Sequence, residues 1–69
     1  MDRPKFGKKF RDNLGRVVRE VWVEEAAKDP NPKPHHLLSW DELDERNKEI
    51  DCLIGERIMY FAIEMKGDE

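Results

Sequence analysis

Three prolines at alternate positions split this chain into two segments, each about the length of one helix. Pro30, Pro32 and Pro34 cannot lie inside a helix, because proline lacks the amide donor and disfavours helical backbone at the residue before it. Alternate prolines instead favour an extended, polyproline-like connector. The 69 residues therefore predict one small domain, with one helix before the connector and another after it.

The segment before the connector carries apolar residues at helical spacing, which predicts an amphipathic helix over residues 9–28. Gly15 lies inside this helix, where a small residue permits close approach of another backbone. Residues 1–7 contain Pro4 and end in Gly7, so they are predicted to form a loose arm. The apolar stripe of this first helix consists of Phe10, Leu14, Val17 and Val21.

The segment after the connector predicts a short turn and a second long helix. Ser39 and Glu42 have the spacing of a capping box, which opens a turn over residues 40–43. Asp44 is predicted to cap a helix over residues 45–66. The apolar stripe of this second helix consists of Ile50, Ile54, Ile58, Phe61 and Met65.

The predicted fold class is an all-α helical hairpin that ends in a frayed tail, residues 67–69. Between residues 58 and 63 the second helix is apolar around most of its circumference, and such a helix is normally buried on all sides. A chain this short cannot supply the missing cover, so we predict a homo-oligomer. The predicted oligomer interface consists of Ile54, Ile58, Phe61 and Met65.

Composition excludes several classes of protein. No apolar run approaches the roughly 20 residues that cross a bilayer, so a membrane is not expected as a partner. The single cysteine, Cys52, cannot form a disulfide within the chain, and no signal-peptide pattern follows the charged start, which together predict a cytoplasmic protein. A domain of this size buries too little surface to enclose a deep pocket, so we predict neither enzyme activity nor a cofactor.

Charge is distributed unevenly along the chain. Residues 1–19 carry seven basic and two acidic groups, a net charge of +5, whereas residues 20–69 carry six basic and fourteen acidic groups, a net charge of −8. This division favours either an anionic partner or mutual attraction of the two halves, in one chain or across an oligomer. The pI of about 5.4 argues against nucleic acid as a general partner.

A further pattern runs from the last connector proline into the second helix. It consists of Pro34, Leu37, Trp40, Leu43, Lys48, Glu49 and Asp51. This pattern resembles the C-terminal half of the RyR domain, a small module named after ryanodine receptors, and Trp22 is similar to the tryptophan of that family's first helix. Cys52 stands where the family has an arginine. The resemblance implies a helical module without enzyme activity, whose bacterial members bind nucleotide-derived or other phosphorylated ligands.

The first helix carries two arginines and a tryptophan on one side. Arg16, Arg19 and Trp22 follow one another at three-residue spacing, and an arginine beside an aromatic plane suits a phosphorylated base. Equally open is an interpretation in which Trp22 is a core residue and the arginines pair with acids of the second helix. The predicted ligand-binding residues are Arg16, Arg19, Trp22, Lys33, His35, Trp40 and Lys48.

No residue pattern predicts a metal site or a catalytic site. His35 and His36 are adjacent, and adjacent histidines on a regular element cannot both reach one ion. Cys52 lies among acids, which raise the pKa of a thiol rather than lower it.

Three functional hypotheses follow. The first is a homo-oligomer that binds an anionic, nucleotide-like small molecule between subunits, as a phage protein that sequesters a host immune signal would. The second is a protein-interaction module that docks through its apolar C-terminal helix. The third is weak nucleic-acid binding through the basic N-terminal arm.

Overall fold

The structure, a computed structural model, describes residues 5–67 and places them in two long helices with two short 3-10 helices between them. Helix α1 is Lys8–Lys28 and helix α2 is Glu45–Gly67. The 3-10 helices are Pro34–Leu37 and Trp40–Glu42. No strand occurs within residues 5–67, so the prediction of an all-α helical hairpin is confirmed.

The bounds of the long helices lie within one residue of the predicted ones. Helix α1 begins at Lys8 rather than at residue 9, and α2 ends at Gly67 rather than at residue 66. The first part of the predicted arm, residues 1–4, and the end of the predicted tail, residues 68–69, lie outside the described residues.

The connector differs from the prediction in its second half. The backbone is extended at Asp29 and at Lys33, as predicted, but Pro34 begins a 3-10 helix that runs to Leu37. The reason is that the fixed φ of proline suits the first turn of a helix, where its missing N–H has no intrahelical acceptor. The turn predicted over residues 40–43 is the 3-10 helix Trp40–Glu42.

Acidic side chains cap the chain where the sequence predicts. The Glu42 carboxylate accepts the backbone N–H of Ser39 at 3.1 Å, and the Asp44 carboxylate accepts that of Asn47 at 2.8 Å. Hydrogen bonds from Ser39 hold the pKa of Glu42 below its usual value. The Asp44 side chain therefore satisfies one of the first backbone donors of α2, the N–H of Asn47.

Two glycines allow close packing at the centre of the hairpin. A methyl group built at Gly15 would lie 2.6 Å from the Trp40 ring and 2.8 Å from the Cys52 Sγ atom. A methyl group built at Gly55 would lie 2.7 Å from the Leu14 Cβ atom. Because carbon atoms of different side chains do not approach this closely, glycine is needed at both positions for the observed packing.

The buried core lies on one side of the hairpin, between the helices and the connector. Its apolar members are Trp40, Leu43 and Cys52, with Leu38 packed against them. We call this side the connector face. The connector is thus a cover for the two helices as well as a link between them.

A buried ion pair joins the helices beside this core. The Arg19 Nε atom donates to the Asp51 carboxylate at 2.8 Å, and both side chains are more than nine-tenths buried. A second Arg19 nitrogen donates to the carbonyl oxygen of His35 at 3.3 Å. One guanidinium therefore ties together α1, α2 and the connector.

The molecule is thin. Its extents along the principal axes are 43 × 25 × 14 Å, so one dimension is much shorter than the other two. The radius of gyration is 14.0 Å, against about 11 Å for a compact domain of this length. The two long helices lie side by side in one layer, which the connector covers on one side only, whereas stable domains pack at least two full layers around a core.

Candidate functional site

The side of the hairpin opposite the connector is an apolar surface that residues 5–67 leave uncovered. We call it the bare face. At its centre α1 and α2 form an open groove of about 400 Å³. Among the described residues, Glu25 is the one charged side chain along the groove. The apolar residues that line it are Val17, Val18, Val21, Trp22, Ile54 and Ile58.

The predicted oligomer interface lies on this bare face. Ile54 lines the groove, and Ile58 remains 60% exposed beside it. Phe61 and Met65 continue the same stripe of α2 and are 63% and 50% exposed. Three of the four predicted interface residues, Ile58, Phe61 and Met65, are therefore exposed in the single chain, and Ile54 is partly buried.

Part of this stripe extends beyond the start of α1. Gly15 of α1 and Cys52 of α2 lie at the same height along the hairpin. Because the two helices run in opposite directions, Lys8, seven residues before Gly15, lies level with Met59, seven residues after Cys52. The remaining turns of α2 reach about 12 Å further. Phe6, from the segment that the sequence predicts to be loose, covers one side of this extension by stacking on Tyr60 at 5.3 Å between ring centroids.

Trp22 lies outside the core, at the margin of the bare-face groove where the connector also reaches it. Its side chain is 41% exposed, and its indole stacks on the His36 ring with centroids 4.8 Å apart. The His35 ring meets His36 edge-on at 4.1 Å. Burial lowers the pKa of His36, and the neighbouring charges of His35 and Lys33 lower it further, so the neutral imidazole is favoured.

A second groove, of about 420 Å³, lies on the connector face beside Trp40. Arg16, Arg19 and Ser39 line it, as the ligand hypothesis requires, but so do three acids. Those acids are Glu20, Glu24 and Asp41. The groove is therefore of mixed charge, which does not select an anion.

The Trp40 indole is a packing residue in this arrangement. Only 9% of the residue is exposed, and its ring lies against Gly15. The Arg16 guanidinium and the Lys48 ammonium lie over the ring, at 5.5 and 5.6 Å from its centroid. These cation–π contacts use the ring surface on which a base would stack.

The seven predicted ligand residues do not converge on one place. Arg16, Lys48 and Trp40 meet on the connector face, whereas Trp22 lies on the bare face. Arg19 is buried against Asp51, which is the pairing that the alternative interpretation of the arginines expected. The His35 carbonyl accepts from Arg19, and Lys33 is exposed at the start of the first 3-10 helix.

The basic start of α1 is largely paired with acids of the same chain. Lys8 donates to Asp12 at 2.9 Å, and Arg11 donates to Glu49 at 2.7 Å. The Arg11 guanidinium also contacts Glu56. The Arg11 pairs join the basic half of the chain to its acidic half, as one of the two interpretations of the charge division expected, whereas the Lys8–Asp12 pair lies within the basic half. All of these pairs reduce the charge available to a phosphate backbone.

The described part of the chain contains no group of residues arranged for metal binding or for nucleophilic catalysis. Residues 5–67 contain no cluster of three His, Cys, Asp or Glu side chains that could hold an ion. Burial raises the pKa of the Cys52 thiol, which disfavours the thiolate. What the arrangement can do chemically is bury apolar surface and pair charges.

Comparison with known proteins adds no relative. No family model, no curated protein and no solved structure matches this chain. The resemblance to the RyR domain stays a prediction. Within residues 5–67, neither helix has the length and apolar content needed to traverse a lipid bilayer.

Proposed function

We propose that this chain is a non-catalytic helical interaction module that works by self-association through its bare face. One observation carries the proposal. The groove between Val17, Val21, Ile54 and Ile58 is apolar along almost its whole length, yet nothing in residues 5–67 covers it. Burial of such surface is the main driving force for protein association.

The energetic gain from covering this face is substantial. Full burial of a Val, Ile or Phe side chain is worth about 1.5–3 kcal/mol, so each half-exposed side chain would contribute about 1 kcal/mol. A symmetric contact counts every such side chain twice. The half-exposed apolar residues on and beside the bare face are Phe10, Val17, Val21, Trp22, Ile50, Ile58, Phe61 and Met65.

Sedimentation equilibrium of the full chain, together with one matched pair of variants, tests the proposal. Ile58→Asp places a charge beside the groove, so we expect the association constant to fall at least about tenfold. Ile63→Asp is the control. Ile63 is 43% exposed on the same helix but about 140° away around it from Ile58, so association should persist.

Two results would overturn this function. One is a wild-type chain that sediments as a single folded copy at every concentration. The other is equal loss of association in Ile58→Asp and Ile63→Asp, which would mean that the bare face has no special role. Circular dichroism of each variant shows whether the helices remain formed.

A second candidate function is binding of a phosphorylated small molecule on the connector face. The observation in its favour is Arg16, whose side chain is half exposed beside Trp40 and whose nearest acid, Asp41, is 3.8 Å away. Thermal unfolding with a panel of cyclic and ADP-ribose-type nucleotides tests it. A ligand that stabilises the wild type but not Arg16→Ala supports it, and absence of any shift counts against it.

A further inference from the structure

The outer edges of the two helices carry opposite charges that have no ion-pair partner within residues 5–67, and we infer from them how two copies meet. We propose that a second copy covers the bare face about a two-fold axis parallel to the helices. Helix α1 of one copy then lies over α2 of its partner, and Arg46 of one copy lies between Glu20 and Glu24 of the other. The inference rests on the proposed self-association and deepens it by specifying the arrangement.

The excess of exposed surface on this chain is large enough for an interface with one partner of its own size. The described chain exposes 5749 Å², whereas a compact monomer of this mass exposes about 4500 Å², an excess of about 1200 Å². A standard interface buries about 800 Å² on each partner. Two thin hairpins placed face to face give the two-layer packing of a four-helix bundle, with both connectors outside.

Helical spacing places the charges on the outer edges of the two helices, where Glu20 and Glu24 lie between the apolar stripe of α1 and the connector-face groove that they also line. Glu20 follows Val17 by three positions and Glu24 follows Val21 by three, so both acids border the apolar stripe of α1. Arg46 precedes Ile50 by four positions and borders the stripe of α2. All three charged residues are exposed.

These charges lack partners within the described part of their own chain. Among residues 5–67, neither Glu20, Glu24 nor Arg46 takes part in an ion pair. Glu20 and Glu24 are four residues apart on one helix, a spacing at which like charges repel. A cation placed between them from outside would relieve that repulsion.

The level of each residue along the hairpin fixes which charges would meet. Contacts place Gly15 level with Cys52 and Arg19 level with Asp51. Counting along both helices from these two contacts puts Arg46 level with residues 21–24 of α1. A two-fold axis parallel to the helices keeps every residue at its level. The partner's Arg46 therefore arrives beside Glu20 and Glu24.

The same count identifies a matched control residue. Arg57 lies on the same edge of α2, three positions after Ile54, and is also exposed. The count puts it level with residues 10–13 of α1, where the residue on the outer edge is Asn13 rather than an acid. Reversing the charge of Arg57 should therefore not weaken the dimer.

Charge reversal and rescue in the full chain test this arrangement by sedimentation equilibrium at low salt. Arg46→Glu places three acids together, and we expect the dimer Kd to rise about tenfold or more. Glu20→Arg with Glu24→Arg should weaken the dimer similarly. The triple variant that combines all three changes should return the Kd to within about threefold of the wild type. Arg57→Glu should leave the Kd unchanged or lower it.

The outcomes separate this inference from the function on which it rests. If the wild-type chain does not associate, both the proposed arrangement and the proposed self-association are wrong. If Arg46→Glu leaves the dimer Kd unchanged, or if the triple variant dimerises no more tightly than the variants that it combines, the arrangement is overturned and self-association stands. The latter result would indicate a two-fold axis perpendicular to the helices, which sets α1 against α1 and keeps Arg46 away from the acids. In 1 M salt the differences should shrink, because the rim charges are then screened.

Discussion

The two faces of the hairpin are built from the same helices and differ in almost everything else. The connector face is covered and buries glycine, cysteine and an Arg19–Asp51 pair beside Trp40. The bare face carries the regular apolar stripes of both helices and is open to solvent. The difference shows that, in a chain this small, hydrophobic periodicity marks the surface that stays exposed in the single chain, whereas the chain's own core depends on close packing and a buried charge pair.

Removing one member of that charge pair should have the largest effect on folding. Asp51→Asn leaves the buried Arg19 guanidinium without its counter-charge, so we expect the free energy of unfolding to fall by about 3–5 kcal/mol. Urea denaturation measures it. Replacing both residues, as Arg19→Met with Asp51→Leu, should recover most of the loss. If the double variant were as unstable as Asp51→Asn, the pair would have a role other than charge neutralisation.

Adding volume at the glycine contact should have the next largest effect. Gly15→Leu forces carbon atoms into the space of the Trp40 ring and of the Cys52 sulfur, so we expect a loss of about 3 kcal/mol. The control is Gly7→Ala, because no atom lies within 4 Å of a methyl group there and the backbone is extended. A stable Gly15→Leu variant would mean that the connector face is packed less tightly than the contacts indicate.

The bare face should respond to protein concentration, unlike the connector face. Val21→Asp disturbs the groove without touching the core, so we expect it to lower stability by about 1–2 kcal/mol only where the wild type is associated. Thermal unfolding over a hundredfold dilution series measures this dependence. A Val21→Asp effect that is equally large at every concentration would place Val21 in the core of the single chain.

The helices were predictable because their signals are local. The spacing of Phe10, Leu14 and Val17, by four and then three residues, is explained by a regular helix alone. The capping box of residues 39–42 depends only on residues that are close together in the sequence. The Pro34–Leu37 turn was missed because a proline ends one helix and begins another with equal ease, and nearby sequence does not distinguish the two.

The candidate site was only partly predictable, because its assembly depends on long-range contacts. The excess of apolar residues on α2 leads to the prediction of an interface at Ile58 and Phe61, and both side chains are exposed in the structure. Asp51 gave no hydrophobic signal, so its place opposite Arg19 could not be derived from spacing. Trp22 and Trp40 give the same signal in the sequence, yet Trp40 is buried against Gly15, whereas Trp22 is 41% exposed beside the bare-face groove.

The smallest expected effect concerns the exposed cap that positions the connector, and it appears as a dependence on pH. Hydrogen bonds from Ser39 to the Glu42 carboxylate lower the pKa of Glu42 in the folded chain. A lowered folded pKa means that the ionised form stabilises the fold. This contribution is complete above the pKa of an unfolded glutamate, about 4.3, and is lost as pH falls through the lower folded pKa.

Glu42→Gln keeps an acceptor at this position but removes the titration. The difference in stability between wild type and variant should therefore be constant above about pH 5 and should decline toward lower pH. Thermal unfolding at a series of pH values measures it. A difference that persists unchanged to pH 2 would show that the cap acts through its shape alone. The charge contribution to the stability of the connector face would then come from the buried Arg19–Asp51 pair rather than from the exposed cap.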